Sequence, residues 1–461
     1  MDFFNLEKLL KTTAINKNRN MNILLVNPLT HSLYGAEYED VPTISRKIAL
    51  KLIEFPRPIA LFLLVALTPD EHNIQIVEGK PDEIDYDVDV DLVGISFTTR
   101  YAPLAYQIAD RFMERGVKVV LGGWHPSALP EEAIQHADSV VVGEAEYIWP
   151  KLLEDAKNNK LKRFYIQDKP VDVMDIPSLT SIFNDIDVPI GIQATRGCPH
   201  GCEYCAITHM IYRNIFRARP VEIVVDEIEK LPQETFIFFD NSLTISPRYT
   251  KRLFKEIVDR GINKKFTCFG NINILGRDEE LLFLSNEAGC VAWLVGFESV
   301  SQESLDSVKK KTNVVKNYKS AVAKIHDYNL FIVGNFVFGF DGDGLDIFQE
   351  TVDMIKTCEI DVPDIMILTP LPGTPLFRRL NAEKRILTYD WSKYNFENVV
   401  FQPKNMTPEE LLINSRSAFK EVYSTSNIIY RVAKAFRFSM YKTIDVAIRN
   451  FYLSKKRYQK T

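Results

Sequence analysis

Three cysteines fall within one short stretch, ATRGCPHGCEYCAI, spaced as Cys198-x3-Cys202-x2-Cys205. Thiolates are soft ligands for iron and zinc. A [4Fe–4S] cluster has four irons, so a loop with three thiolates leaves one iron without a protein ligand. That iron can chelate the amino and carboxylate groups of S-adenosylmethionine (SAM). An electron passed to the sulfonium then breaks a C–S bond and yields a 5′-deoxyadenosyl radical. The glycines and the proline of the stretch allow a tight turn around such a body. The competing chemistry is a zinc site with His200 or His209 as fourth ligand, although no second ligand pair lies nearby. Cys268, Cys290 and Cys358 are scattered over separate predicted elements and read as core residues that offer no second cluster.

The loop needs a scaffold, and the sequence supplies one. Gly191–Thr195 reads as a strand running straight into the cysteines. Further strands are expected at Thr235–Phe239, Phe266–Phe269, Val291–Val295, Phe331–Phe338 and Ile365–Leu368. Helices are expected between them at Pro220–Lys230, Arg248–Arg260, Asp278–Ala288, Val314–Tyr328 and Leu345–Thr357. Six βα units are fewer than the eight of a closed barrel, so a partial (β/α)6 barrel is expected, with chemistry at the C-terminal strand ends. Upstream, NILLVNP, NIQIVEG, DLVGISF, VKVVLGG and SVVVGEAE read as strands, with helical stretches at Ile59–Leu67, Pro103–Arg115 and Glu131–His136. Near-continuous Val/Ile/Leu strands alternating with helices imply a parallel sheet covered on both faces. The fold class is therefore α/β. A polar extension over 1–20 is followed by a doubly wound domain over 21–160, a linker over 161–190, the barrel over 191–404 and a helical region over 405–461.

The chain has 461 residues, a formal net charge of −5 and 46% hydrophobic residues. That balance fits a globular protein and argues against nucleic acid as the main partner. Six cysteines are too few for a disulfide framework, and the N-terminus lacks a secretory pattern, so a reducing, cytoplasmic setting is expected. The longest apolar run, Ile59–Leu67, is too short to span a bilayer and reads as a buried helix.

The cysteine spacing, with Tyr204 just before the last cysteine, resembles the motif of the radical SAM superfamily. The resemblance implies a [4Fe–4S] cluster on Cys198, Cys202 and Cys205, and places Tyr204 near the SAM adenine. FFDNS ends the second barrel strand where the family contacts the SAM amine, which makes Asp240 and Asn241 candidates. GFES ends the fourth, and Glu298 matches an acidic residue that contacts the SAM ribose or amine. GNFVFGFDGD resembles the fifth-strand motif lining the adenine site and contributes Asn335. Capping of the following helix is a compatible second role for Asp240 and Glu298.

The upstream domain resembles the Rossmann-like cobalamin (B12)-binding domain of cobalamin-dependent radical SAM enzymes. The matching segments are GISFTT, LGGWHPSALPEEA and VVGEAE, with Ser96, Thr98, Thr99, Gly122, Gly123, Gly143 and Glu144 as candidate contacts. Their small residues would let a large cofactor approach the backbone, and their hydroxyls would supply hydrogen bonds. The Asp-x-His-x-x-Gly motif that ligates cobalt in B12 mutases is missing; the THSLYG stretch around His31 has the wrong spacing. Its absence implies either cobalamin without a histidine below the cobalt or a domain that keeps the fold without the cofactor, and His125 is read as a structural or tail-contacting residue rather than a ligand. The combined resemblance implies methyl transfer to an unactivated carbon of a small-molecule or lipid substrate, with a reductant such as flavodoxin or ferredoxin. Rival readings are radical cyclisation, C–C bond formation or oxygen-independent oxidation, a B12 sensor without turnover, and the zinc protein.

The C-terminal stretch YRVAKAFRFSMYKTIDVAIRNFYLSKKRYQK carries one acidic residue, Asp445. It reads as a helix packing its apolar face on the barrel. A peripheral contact with an anionic membrane, as in the hopanoid-modifying enzymes this architecture also resembles, is the alternative.

Overall fold

The computed structural model describes residues 21–29, 59–185 and 190–456. His31 and the 1–20 extension lie outside the described residues. The first sheet contains β1 (Asn22–Pro28), β2 (Asn73–Gly79), β3 (Leu92–Ser96), β4 (Lys118–Gly122), β5 (Ser139–Val142) and β6 (Phe164–Ile166), all parallel, in the order β2-β1-β3-β4-β5-β6. The order reverses between β1 and β3, which opens a ligand crevice beyond the C-terminal strand ends.

Alternation of side chains across the pleat explains the apolar runs. On β1, Ile23 and Leu25 enter a core shared with the barrel and with Trp149, Leu152 and Leu153 of the helix Trp149–Lys157. Leu24 and Val26 point the other way, into a core with Ala105, Ile108 and Phe112 of the helix Ala102–Met113. Each fully buried aliphatic side chain contributes about 1.5–3 kcal/mol, so neither face could be polar.

β6 lies within the stretch expected to be a linker. Its three residues are too short to show periodicity, yet Phe164, Tyr165 and Ile166 pair with Val140, Val141 and Val142.

The second sheet is formed by β7 (Ile190–Ile192), β10 (Thr235–Phe238), β11 (Lys265–Gly270), β12 (Cys290–Glu298), β13 (Phe331–Phe338) and β14 (Val362–Ile367). They are parallel and strictly sequential, and β7 and β14 are not paired to each other among the described residues, as a six-unit open barrel requires. The strand expected at Gly191–Thr195 divides. Its end leaves the sheet as β8 (Thr195–Arg196) and pairs antiparallel with β9 (Arg217–Ala218). The cause is Asp240, whose carboxylate accepts from the backbone of Ala194 at 3.2 Å and also from the backbone of Thr195.

Helices Pro408–Val422, Thr425–Ala435 and Met440–Lys456 form the C-terminal region. Five basic side chains of this stretch find partners within the fold. Arg431 donates to Asn450 and to the Val422 carbonyl, Lys434 and Arg437 pair with Glu359, and Arg449 pairs with Asp445. Lys442 is buried and donates to Asn286 and to the Asn329 carbonyl. The region thus packs against the barrel. No described helix is long and apolar enough to cross a membrane.

Candidate functional site

The β8–β9 ribbon pinches the base of the cysteine loop. Gly197 has φ +85°, and a Cβ there would sit 2.0 Å from the Ile215 carbonyl oxygen, so only glycine fits. Cys198 N–H donates to the Arg213 carbonyl at 2.8 Å, and Thr208 Oγ1 donates to the Cys198 carbonyl at 2.6 Å. Two distant segments clasp the loop: Glu203 N–H donates to the Val308 carbonyl at 3.0 Å, and Leu376 N–H to the Glu203 carbonyl at 3.1 Å. Burial pushes the Cys202 thiol up to about 11 and raises Cys198 and Cys205 as well. Thiolates here need a strong counter-charge, which a metal cluster provides.

Among the described residues no three His, Cys, Asp or Glu side chains converge on one metal ion. His209 Nε2 faces the Cys202 carbonyl at 3.1 Å.

The SAM candidates separate into two groups. Tyr204, Asn241 and Asn335 present unspent polar groups. Tyr204 Oη is buried without a partner, beside Glu298 and with its ring 5.9 Å from Phe340. The side chains of Asn241 and Asn335, both half-buried, make no hydrogen bond to a described residue. Orphaned polar groups of this kind are what a polar ligand would complete. Asp240 differs from expectation. Its carboxylate is wholly buried and taken by Ala194 and Thr195, and burial, against these donors, pushes it up to about 7. It anchors the strand that launches the loop rather than facing a ligand. Neither it nor Glu298 serves as a helix N-cap; those positions are filled by Ser246 and Ser301.

Glu298 sits at a bulge between β12 and β13 with φ +66°, a costly conformation for a non-glycine residue. Its partner is Lys310, 2.9 Å away. Burial alone would lower the Lys310 ammonium, but Glu298 and the thiols of Cys202 and Cys205 outweigh it and raise it. Lys310 is a site residue the sequence did not reveal. It lies in the run KKKT, and three adjacent lysines look alike until the fold selects one.

In the upstream domain, Ser96, Thr98 and Gly122 line the open crevice. Thr98 is exposed, the Ser96 and Thr98 hydroxyls have no described partner, and a Cβ on Gly122 would meet only Val141, at 3.7 Å. These residues fit the approach of a large cofactor. Four other candidates do different work. Thr99 is buried. Gly123 (φ +98°) packs on the Phe97 backbone and Gly143 (φ +102°) on Gln167, so their size serves protein contacts. Glu144, 1% exposed, is surrounded by Arg196, Arg213 and Arg217. Burial by itself would raise its carboxyl, but hydrogen bonds from Arg217 and the charges of Arg213 and Arg196 hold it down at about 2. His125 is structural: wholly buried, with Nε2 3.1 Å from Glu132, which also accepts from Tyr106 and from Trp391 Nε1 at 2.9 Å.

These contacts bring the C-terminal ends of the two sheets together. Glu144 and Glu146 after β5 meet the arginines around the cysteine loop. Ala128 after β4 abuts Gly373 after β14, where a glycine Cβ would come within 3.1 Å. The arginine collar was missed in the sequence because its spacing follows no element period.

Comparison with known proteins agrees with this architecture. Residues 192–355 match the Radical SAM superfamily, residues 58–153 the B12 binding domain, and residues 374–455 a domain of unknown function, DUF4070. The chain is 33% identical over 390 residues to the bacteriochlorophyllide d C-12(1)-methyltransferase of Chlorobaculum tepidum, covering 81% of this chain and 84% of that protein. It is also 33% identical over 399 residues to the bacteriochlorophyllide d C-8(2)-methyltransferase of the same organism, covering 81% and 87%. The fold resembles the radical SAM methyltransferase TsrM from Kitasatospora setae with cobalamin and [4Fe–4S] cluster bound (TM-score 0.60, 17% identity, 78% of each chain). It also resembles the cobalamin-dependent enzyme OxsB with aqua-cobalamin and SAM bound (TM-score 0.67, 13% identity, 92% of this chain and 70% of that one). With a cysteine loop, a six-strand parallel barrel and a B12-type domain joined edge to edge, the chain belongs to the radical SAM superfamily, as a member of its cobalamin-dependent class of enzymes.

Proposed function

We propose that this enzyme transfers a methyl group to an unactivated carbon of a small-molecule substrate held between the two sheets. One observation carries the reading. The Glu144–arginine collar fixes the B12-type crevice against the cysteine loop, so a carbon placed between them would lie within reach of both. The bound groups supply reductive cleavage of SAM at the cluster and a transferable methyl on cobalamin. The chain's own part is placement. Cys198, Cys202 and Cys205 would hold the cluster, while Tyr204, Asn241, Asn335 and Glu298 would orient SAM, with Lys310 fixing Glu298 in place. Ser96, Thr98 and Gly122 would border the cobalamin. The loops after β4, β5 and β14 would exclude water from the crevice. Cytoplasmic placement and a small reductant such as flavodoxin or ferredoxin accord with this chemistry.

Anaerobic reconstitution with iron, sulfide, SAM, a reductant and hydroxocobalamin tests the reading. The expected products are 5′-deoxyadenosine, lost in Cys198→Ala, Cys202→Ala and Cys205→Ala, and a methylated product whose methyl derives from labelled SAM. Near-wild-type 5′-deoxyadenosine in any of the three variants would remove the cluster assignment. Radical formation with a substrate changed but never methylated would replace methyl transfer with another radical reaction.

A further inference from the structure

The collar around Glu144 is not electrically balanced. Three guanidiniums, of Arg196, Arg213 and Arg217, face two carboxylates, of Glu144 and Glu146. Arg217 donates from its terminal nitrogens to both Glu144 oxygens and to the Val171 carbonyl, although its Nε, too, is buried without a partner. Arg196 donates to Glu144, Glu146 and Gln193. Arg213 is ion-paired to Glu144 but makes no side-chain hydrogen bond to a described residue. Its Nε lies 3.1 Å from Glu144 Oε1 but out of line for a hydrogen bond, and is buried without a partner. Its terminal nitrogens donate to no described residue. Burial, followed by repulsion from Arg196, depresses this guanidinium to about 10. A surplus cation with unmade hydrogen bonds is expensive away from water. The side chain nevertheless remains 18% exposed, so something can reach it.

Its location points to what that is. The Arg213 carbonyl accepts from Cys198 N–H, so the residue belongs to the cysteine loop itself. Its guanidinium stands beside Glu144, at the C-terminal end of β5, where a doubly wound sheet meets its ligands. Planar guanidinium donors match the paired oxygens of phosphate and carboxylate.

We propose that Arg213 binds an anionic oxygen group of a ligand in the crevice between the two domains, either the phosphodiester of the cobalamin nucleotide tail or an acid group borne by the substrate. The assignment rests on the cobalamin-dependent reading only for the first of these sources.

The test uses the full chain with its cluster reconstituted. Dissociation constants for hydroxocobalamin and for dicyanocobinamide, which lacks the nucleotide and its phosphodiester, are measured for wild type, Arg213→Lys and Arg213→Met. In parallel, wild-type protein is labelled with phenylglyoxal, with and without hydroxocobalamin or inorganic phosphate, and Arg213 is followed by peptide mass spectrometry. If the cofactor supplies the anion, Arg213→Met weakens hydroxocobalamin by about tenfold or more. Arg213→Lys then weakens it less, and cobinamide is unchanged in both variants. If the substrate supplies it, neither corrinoid is affected, and phosphate alone protects Arg213 from labelling. Unchanged corrinoid binding without protection by phosphate would overturn the proposal. Equal loss of both corrinoids in Met and Lys variants would also overturn it, because it marks a packing role. Failure of wild type to bind any corrinoid, with Arg213 still protected by phosphate, would instead count against the cobalamin reading and leave this one standing.

Discussion

Glu144→Gln should loosen the joint between the two domains. Glu144 is 1% exposed and takes ion pairs from Arg196 at 3.4 Å, Arg213 at 3.1 Å and Arg217 at 2.8 Å. Its carboxyl falls from an ordinary 4.5 to about 2 in the folded chain. Each unit is worth 1.36 kcal/mol, so the carboxylate contributes roughly 3 kcal/mol at neutral pH. Glutamine keeps the shape but leaves three guanidiniums, one buried and two partly exposed, facing Glu146 alone, and breaking a largely buried pair in this way costs about 3–5 kcal/mol. For a cooperative unit of 150–250 residues that lowers the Tm by roughly 6–20 °C. The depressed carboxyl also sets a pH window. Its contribution is complete above the unfolded value of 4.5 and is lost as pH falls toward about 2. Below that, wild type and Glu144→Gln should converge. Differential scanning calorimetry from pH 7 to pH 3 follows both effects. A variant within 1 °C of wild type at pH 7, or a difference that does not shrink on acidification, would refute the reasoning.

Other perturbations test other joints. Gly197→Ala drives a Cβ to 2.0 Å from the Ile215 carbonyl, so the base of the loop must open; iron bound after reconstitution should fall well below wild type, and an unchanged iron content would show that the close approach is dispensable. Lys310→Met removes the buried cation beside Glu298 and should cost about 1–3 kcal/mol of stability, read by urea denaturation, and weaken SAM binding, read by equilibrium dialysis; Lys310→Arg should recover part of both. Trp391→Phe deletes the 2.9 Å hydrogen bond to Glu132 but keeps the ring packed on His125, so about 1 kcal/mol should be lost with hydroxocobalamin affinity unchanged. A loss of corrinoid binding there would give His125 and its neighbours a ligand role.

Much of this enzyme was legible in the sequence because its signals are local. Three of the six cysteines lie in one short loop, and their spacing resembles the radical SAM motif closely enough to point to a cluster before any fold is known. Val/Ile/Leu-rich runs such as NILLVNP and FIVGNFVF read as central parallel strands, since a strand buried on both faces is mostly apolar; both have the bounds the runs suggest. Tertiary structure decided everything that depends on a partner distant in sequence. Whether Asp240 faces a ligand or Thr195, whether Glu144 meets cobalamin or three arginines, and which lysine of KKKT reaches Glu298 are questions of separations of 45, 52–73 and 12 residues. An isolated carboxylate looks the same in sequence whether it will be spent on a ligand or on a neighbouring domain. Only burial, which raises the value of a cation a few ångströms away, makes the choice.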